Sequence, residues 1–318
     1  MRDGFGREID YLRVSITDRC NLRCRYCMPE GARFLPEGAL LSFDELLRVC
    51  RAATSLGISR FKVTGGEPLV RPGAVEFMRS LSALPGAESV TLTTNGLLLE
   101  PLVAQLGALD GVNVSLDSSD SAAYAALTGV DAAERVLRAI RRCAEAGIRT
   151  KVNCVLLSDV SGAARLAHLA EALPVDVRYI RLMPVGMGGA TAGAEPEAVL
   201  ALLRQRWSDL HSVDEIRGNG PARYFASAHL AGRIGLIDAV SHRFCDRCNR
   251  IRLTADGRLR PCLCYADSID LKAALRSGAT DGDVVELLEQ AIRMKPLRHA
   301  FDGPGGAVDR QPMSRIGG

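Results

Sequence analysis

Short apolar, β-branched runs alternate along the chain with longer amphipathic ones. The runs at 11–16, 60–64, 89–94, 112–116, 150–156 and 177–182 predict strands, and the 3.6-residue periodicity near 42–56, 72–83, 99–108, 131–146, 161–172 and 195–206 predicts helices. Punctuation agrees with this division. Ser42 with Glu45 reads as a capping box, Pro72 suits a first helical turn, and Gly57 and Gly147 suit helix ends. Six successive βα units predict an α/β fold, a parallel sheet rolled into a partial (βα)6 TIM-like barrel. Ligand sites then belong at the C-terminal edge of the strands.

The unusual residues fall at that edge. In strand order they are the loop TDRCNLRCRYCMP, Gly65-Gly66-Glu67-Pro68, Thr93-Thr94-Asn95-Gly96, Ser115-Leu116-Asp117, Lys151-Val152-Asn153 and Met183-Pro184-Val185-Gly186. Packing alone gives no reason to concentrate glycines and polar groups on one rim. After about residue 207 the rhythm breaks into short strand-like pieces and turns. The expected organisation is a barrel over 1–206 and a C-terminal region over 207–318 that carries a second group of cysteines. The Gly-rich stretch FDGPGGAVDRQPMSRIGG, poor in apolar residues, would by default be a frayed end.

Composition narrows the function. The 318 residues are 47% hydrophobic with a net charge of +3, enough for a large core and too balanced for wholesale nucleic-acid or membrane binding. An anion site must therefore be a local cluster. The first ten residues lack an apolar signal-like run, and ten cysteines in metal-like spacings then suggest a reducing cytosol rather than disulfides.

Cys20, Cys24 and Cys27 are spaced Cx3CxxC directly after the first strand. Three thiolates in one loop can hold three irons of a 4Fe-4S cluster and leave the fourth open for chemistry; the alternative is a zinc loop borrowing a distant histidine. Cys245, Cys248 and Cys262 form CxxCx13C, which is less decisive. Cys264 or His242 could complete a structural zinc site there. Cys50, Cys143 and Cys154 lie in helix or strand patterns and read as small core residues. Asn249-Arg250-Ile251-Arg252, if extended, sends both guanidinium groups to one face, where two planar forks suit a polyphosphate. Arg13, Lys62 and Lys151 should reach the same barrel mouth from the first, second and fifth strands.

Cx3CxxC followed by GGEP resembles the radical S-adenosylmethionine enzymes. The stretches LRVSITDRCNLRCRYCMP, KVTGGEPLVR, TTNG, NVSLD, KVNCV, CDRCNRIRLTADGRLRPCL and RIGG are similar, over nearly the whole chain, to the GTP 3',8-cyclase family of molybdenum cofactor biosynthesis. The resemblance implies two 4Fe-4S clusters, on Cys20, Cys24 and Cys27 and on Cys245, Cys248 and Cys262. It implies S-adenosylmethionine contacts at Tyr26, Gly66, Ser115 and Met183, and GTP contacts at Arg13, Lys62, Thr93, Lys151, Arg250, Ile251 and Arg252. Lys62 keeps the charge of a position that can be Arg in the family but loses bidentate geometry. Arg315, Gly317 and Gly318 would reach into the active site and support the radical step.

The implied reaction is a lyase-type conversion. A 5'-deoxyadenosyl radical takes the ribose C3' hydrogen, C3' joins guanine C8, and one-electron reduction gives (8S)-3',8-cyclo-7,8-dihydroguanosine 5'-triphosphate. An external one-electron reductant, the C subunit of cyclic pyranopterin monophosphate synthase as recipient of the product, a homodimer and a cytoplasmic setting complete the expectation. Two other readings remain at this stage. A radical peptide-modifying enzyme would often carry a longer, cysteine-richer C-terminal extension, and an iron-sulfur electron carrier would have little use for GGEP or the Lys/Arg set.

Overall fold

The computed structural model describes residues 1–28, 31–301 and 308–317. The strands β1 (Tyr11–Ser15), β2 (Arg60–Thr64), β3 (Ser89–Thr94), β4 (Gly111–Ser115), β5 (Thr150–Leu156) and β6 (Asp176–Arg181) pair in sequence order, all parallel. Between them run α1 (Phe43–Ser55), α2 (Ala74–Ser82), α3 (Ser121–Thr128), α4 (Ala133–Glu145), α5 (Val160–Arg165) and α6 (His168–Ala172), with α7 (Pro196–Arg206) after β6. All six expected strands match to within one residue at each end. The capping box of Ser42 and Glu45 forms, and Gly57 and Gly147 take left-handed φ of 82° and 70° at helix ends.

Three expectations need correction. Pro72 is not in the first turn of α2 but precedes its N-cap, Gly73, whose φ of 83° suits a residue without Cβ. The segment near 99–108 is a 3-10 turn over Glu100–Gln105, and the one near 161–172 is two short helices. The pattern over 121–128 also hid α3, whose apolar residues are not confined to one stripe.

The C-terminal region widens the same sheet at both ends. Strand β7 (His211–Val213) pairs antiparallel with β8 (Arg223–Ala226), which pairs with β9 (Ile234–Ile237), and β9 lies parallel to β6. At the other edge β10 (Arg250–Leu253) runs parallel to β1, followed by antiparallel β11 (Arg258–Arg260) and β12 (Ile269–Asp270). Helices α8 (Leu271–Arg276), α9 (Asp281–Arg293) and α10 (Met313–Ile316) follow, with α9 packed on α1.

Side-chain alternation gives this sheet two unlike faces. Leu12, Val14, Phe61, Val63, Val90, Leu92, Val112, Val114, Val152, Val177, Tyr179, Ile251 and Leu253 join the hydrophobic core under the helices. Their neighbours on the opposite face are Arg13, Ser15, Lys62, Thr64, Thr91, Thr93, Asn113, Ser115, Lys151, Asn153, Arg178, Arg250 and Arg252. Parallel strands buried on both faces normally read as continuous apolar runs. Here the inner face is polar and basic.

Glu67 ties the rim together. Its fully buried carboxylate accepts from Thr94 Oγ1 (2.8 Å), Asn95 N (2.6 Å) and Leu69 N (3.0 Å), joining the loop after β2 to the loop after β3. Burial pushes the carboxyl from 4.5 up to about 7, although all three donors favour the charged form. A folded-state value above the unfolded one means stability that is fully present below about 4.5 and lost as pH rises through about 7. Denaturant unfolding at stepped pH should therefore show the protein losing stability across this window relative to Glu67→Gln. Parallel curves for the two proteins would contradict a titrating Glu67.

Candidate active site

At the C-terminal edge, the loop after β2 lies flush against the cysteine loop. Gly66 N donates to Thr17 O (2.7 Å) and Glu67 N to Arg19 O (2.8 Å). A Cβ on Gly66 would stand 2.5 Å from Arg19 O and 2.6 Å from Asp18 O, so no other residue fits. Cys20 Sγ accepts from Leu22 N (3.4 Å) and Asn95 Nδ2 (3.8 Å), and the Ser314 backbone donates to the Cys27 thiol. Burial pushes the Cys24 thiol up and that of Cys27 up to about 12, with Asp117 adding to both.

Tyr26 donates to Asp117 Oδ2 (2.7 Å), and Asp117 Oδ1 accepts from Val155 N (2.8 Å). Burial raises this carboxyl to about 6. The Tyr26 phenol is thus committed to the scaffold, which leaves its backbone for any ligand. Ser115 ends β4 opposite Asn153, and Met183 follows β6, so the four candidate S-adenosylmethionine contacts all stand on this rim.

The second cysteine group is at the other end of the barrel. Cys245 and Cys248 precede β10, whose Arg250 is level with Tyr11 at the start of β1, and Asn249 O accepts from Asp10 N (3.2 Å). The antiparallel return of β11 brings Cys262 back to the same end. At about 3.3 Å per residue, the length of β1 places roughly 17 Å between the two ends. Arg7, buried beside Asp3, holds this end by donating to Cys245 O (2.9 Å), Leu297 O (3.0 Å) and Pro296 O (2.7 Å). Burial would raise the Cys248 thiol, but Arg250 and Lys295 bring it down to about 7.

Both triads fit a polynuclear cluster better than a single ion. Among the described residues, neither set has its sulfurs all within 4.8 Å of one another. Zn–S bonds of about 2.3 Å would draw tetrahedral ligands to about 3.8 Å. His242 is half exposed with Nε2 3.3 Å from Glu197, and so is engaged away from the cysteines. Cys264 is fully buried and accepts from Ala300 N (3.4 Å). Cys50, Cys143 and Cys154 are core residues, and all ten cysteines are free.

Between the two ends lies the basic lumen. The sequence reading put Arg13, Lys62 and Lys151 at the barrel mouth; the parallel register instead holds them inside, with Arg13 level with Lys62 and with Arg252. Lys62 is driven well below its ordinary value, by burial first and then by Arg178, Arg13, Lys151 and Arg250. Burial and Arg178 lower Lys151 to about 7 against the opposing pull of Asp176. Side chains from β10, β1, β2, β5 and β6 can act on one another only because the sheet curls. Arg250 stacks over Phe244 (5.1 Å), and its buried Nε has no hydrogen-bond partner. Thr93 faces the same side, whereas the Ile251 side chain packs in the core and leaves only backbone toward the lumen.

Arg178 is the residue the sequence reading missed. It is buried in the lumen, donating from Nη2 to Asn113 Oδ1 (2.5 Å) and from Nε to Asn153 Oδ1 (2.9 Å). The alternation of VRYIR carried the signal, which β6 shares with KVN in β5. A cavity of about 280 Å3 beside Lys62, Asn113, Lys151, Arg178 and the loop 218–220 opens at the N-terminal end. A larger depression of about 430 Å3 between residues 100–104 and α4 lies on the helical exterior and contains none of these groups.

The final segment enters the barrel. Asp309 N donates to Cys264 O (2.8 Å), its carboxylate pairs with buried Arg260, and Gly186 N donates to Asp309 O (3.0 Å). Gly317, at φ 81°, presents its carbonyl to Arg252 Nη1 (2.7 Å), and a Cβ there would stand 2.9 Å from Ser15 Cβ. Arg315 donates to Arg33 O (2.9 Å) and so braces the segment against the loop after β1. The default of a frayed end does not hold for residues 308–317, whose backbone finds fixed partners; Gly318 lies outside the described residues.

Comparison with known proteins agrees with this geometry. Residues 14–172 match the Radical SAM superfamily and residues 175–301 match Molybdenum Cofactor Synthesis C. The chain is similar to proteins named GTP 3',8-cyclase from Clostridium perfringens (38% identical) and Pelotomaculum thermopropionicum (42%), in each case over 100% of both chains. In fold it resembles Streptococcus suis SuiB bound to S-adenosylmethionine, at 16% identity and a TM-score of 0.63, covering 91% of this chain and 67% of that one. The chain belongs to the GTP 3',8-cyclase family of the radical S-adenosylmethionine superfamily.

Proposed function

We propose that the chain is a GTP 3',8-cyclase in which the two cysteine triads and the lumen between them form one reaction chamber. The observation that carries this reading is the run of inward-facing cations, Lys151, Arg178 and Arg252 buried and Lys62, Arg13 and Arg250 partly buried, between two cluster-type thiol sets at opposite ends of one sheet. Cys20, Cys24 and Cys27 would hold one 4Fe-4S cluster, and Cys245, Cys248 and Cys262 the other. With S-adenosylmethionine bound there and an external reductant, the chemistry available at the first site would be generation of a 5'-deoxyadenosyl radical able to take hydrogen from ribose C3' of GTP, the opening step toward the 3',8-cyclo product of molybdenum cofactor biosynthesis.

The chain's own residues then have separable tasks. Gly66 lets the rim backbone approach the methionine moiety, while Tyr26, Ser115 and Met183 border the same site. The cations fix the triphosphate, with Thr93 and the backbone of Ile251 beside it. Mutual repulsion makes the lumen costly when empty of counter-charge, and a polyanion relieves it. Arg252 has a double task, since it also holds the carbonyl of Gly317. Arg315, Gly317 and Gly318 would close the chamber against water, which a reactive carbon radical requires. We assign residues 1–206 to the radical-generating barrel and 207–318 to the region that binds GTP and the second cluster. No helix among the described residues is long and apolar enough to cross a membrane; a cytosolic enzyme, acting as monomer or homodimer and passing its product to the C subunit of cyclic pyranopterin monophosphate synthase, fits this reading.

Anaerobic reconstitution followed by incubation with S-adenosylmethionine, dithionite and GTP tests it. Mass spectrometry should find 5'-deoxyadenosine together with a cyclised isomer of dihydro-GTP, and adenosyl cleavage without a GTP-derived product would reject it. Cys20→Ala, Cys24→Ala or Cys27→Ala should abolish adenosyl cleavage. Cys245→Ala, Cys248→Ala or Cys262→Ala should leave some uncoupled cleavage and stop cyclisation.

Arg250→Gln should weaken GTP binding by roughly 1.5 to 3 kcal/mol, the scale of a lost charge-assisted contact, with iron content unchanged. Equal affinity of the unmodified protein for GTP and guanosine, by equilibrium dialysis, would refute a triphosphate site. Removing Gly317 and Gly318 should leave folding and iron content intact but eliminate the cyclised product. Turnover at the full-length rate would show that these two residues are not needed for the reaction.

A further inference from the structure

Two residues beyond the end of α9, Lys295 reaches under the second cysteine group. It is 3% exposed, and its ammonium has three partners: Arg250 O at 2.8 Å, Pro261 O at 3.1 Å and Cys248 Sγ at 3.4 Å. An ammonium carries three donors, so each is spent and none remains for a ligand in the lumen. Arg250 follows Cys248 by two residues and Pro261 precedes Cys262, so one cation joins the two segments that carry the three cysteines. Two carbonyls alone would suffice to tie the backbone. The third bond, to sulfur, asks for a further account.

The surroundings of the two triads differ in charge. The sulfurs of the first accept from neutral donors, Leu22 N, Asn95 Nδ2 and the Ser314 backbone; the Glu67 carboxylate and, more weakly, Arg23 are felt at Cys20, and the Asp117 carboxylate at Cys24 and Cys27. Around the second stand Arg7 near Cys245 and Arg250 and Lys295 near Cys248. Hydrogen bonds and positive charge at a cluster's sulfurs favour its more negative, reduced state, and net charge and hydrogen bonding are among the protein's chief controls on its potential.

We propose that Lys295 is a tuning and positioning residue of the second 4Fe-4S cluster, its bond to Cys248 Sγ holding that cluster at a higher reduction potential than the one on Cys20, Cys24 and Cys27. The inference rests on the two-cluster reading above. Lys295 touches neither substrate nor the reacting atoms; it acts through Cys248. The first cluster, with Arg23 felt at Cys20 but no cation hydrogen-bonded to a ligand sulfur among the described residues, stays the stronger reductant of the two.

The test is redox titration of the anaerobically reconstituted full chain, followed by electron paramagnetic resonance of each cluster and by iron analysis, for the unmodified protein and for Lys295→Met, Lys295→Gln and Lys295→Arg. Lys295→Met should cut the reduced-to-oxidised ratio of the second cluster about tenfold at a fixed potential, about 59 mV for a one-electron couple. Lys295→Gln, which keeps N–H donors but not the charge, should fall between, Lys295→Arg should restore most of the potential, and the first cluster's midpoint should not move. About four irons per chain in the unmodified protein would overturn the two-cluster reading itself. About eight irons with the same second-cluster midpoint in every variant would spare that reading and overturn the role of Lys295. Should Lys295→Met lose the second cluster, the comparison of Gln with Arg decides; loss of the cluster in all three variants would make Lys295 a backbone clamp and the inference wrong.

Discussion

Like charges held together inside one curled sheet are the constraint on which the rest of this structure depends. Arg13, Lys62, Lys151, Arg178, Arg250 and Arg252 come from five different strands and face one space. In water their repulsion would be screened within about 10 Å; here burial first, and then the neighbouring cations, pull Lys62 and Lys151 well down from their ordinary values. The hydrogen bonds of Arg178 and Arg252 offset only part of the cost of such a lumen. The opposite face must offset the rest, and it does so with an almost unbroken layer of Val, Leu, Ile and Phe beneath the helices. A cation-lined lumen and a dense outer core are therefore two results of one alternating sequence pattern.

The same sheet explains why chemistry at two ends can be joined. Parallel pairing of β1 with β10 puts one cysteine loop after the C-terminal end of β1 and the other before the N-terminal end of β10. The final segment spans them, touching Cys264 at Asp309, Cys27 at Ser314 and Arg252 at Gly317. The electrostatic setting of the two ends is nevertheless opposite, carboxylate-rich at Cys24 and Cys27 and cation-rich at Cys248.

Much of the rim was legible because its chemistry is local. Cys20, Cys24 and Cys27 share one loop, GGEP needs glycine where backbones nearly touch, and Ser42 with Glu45 caps its helix within four residues. Arg178 was not, since a lone arginine in a strand reads as an edge charge until Asn113 and Asn153 are seen to hold it inward. Lys295 was missed for a related reason: it sits in an unpatterned turn, and no nearby residue announces that its partners are 34, 45 and 47 positions away.

The sequence by itself determined the βα order, the cysteine triads and the alternation that makes one sheet face basic, because each rests on spacing along the chain. Tertiary structure alone decided that the basic groups lie in the lumen rather than at its mouth, that β9 and β10 extend the sheet at both edges, and that the segment 308–317 enters the barrel. Those outcomes depend on register, on the closure of strands far apart in sequence and on single long-range hydrogen bonds, none of which leaves a periodic trace in the order of residues.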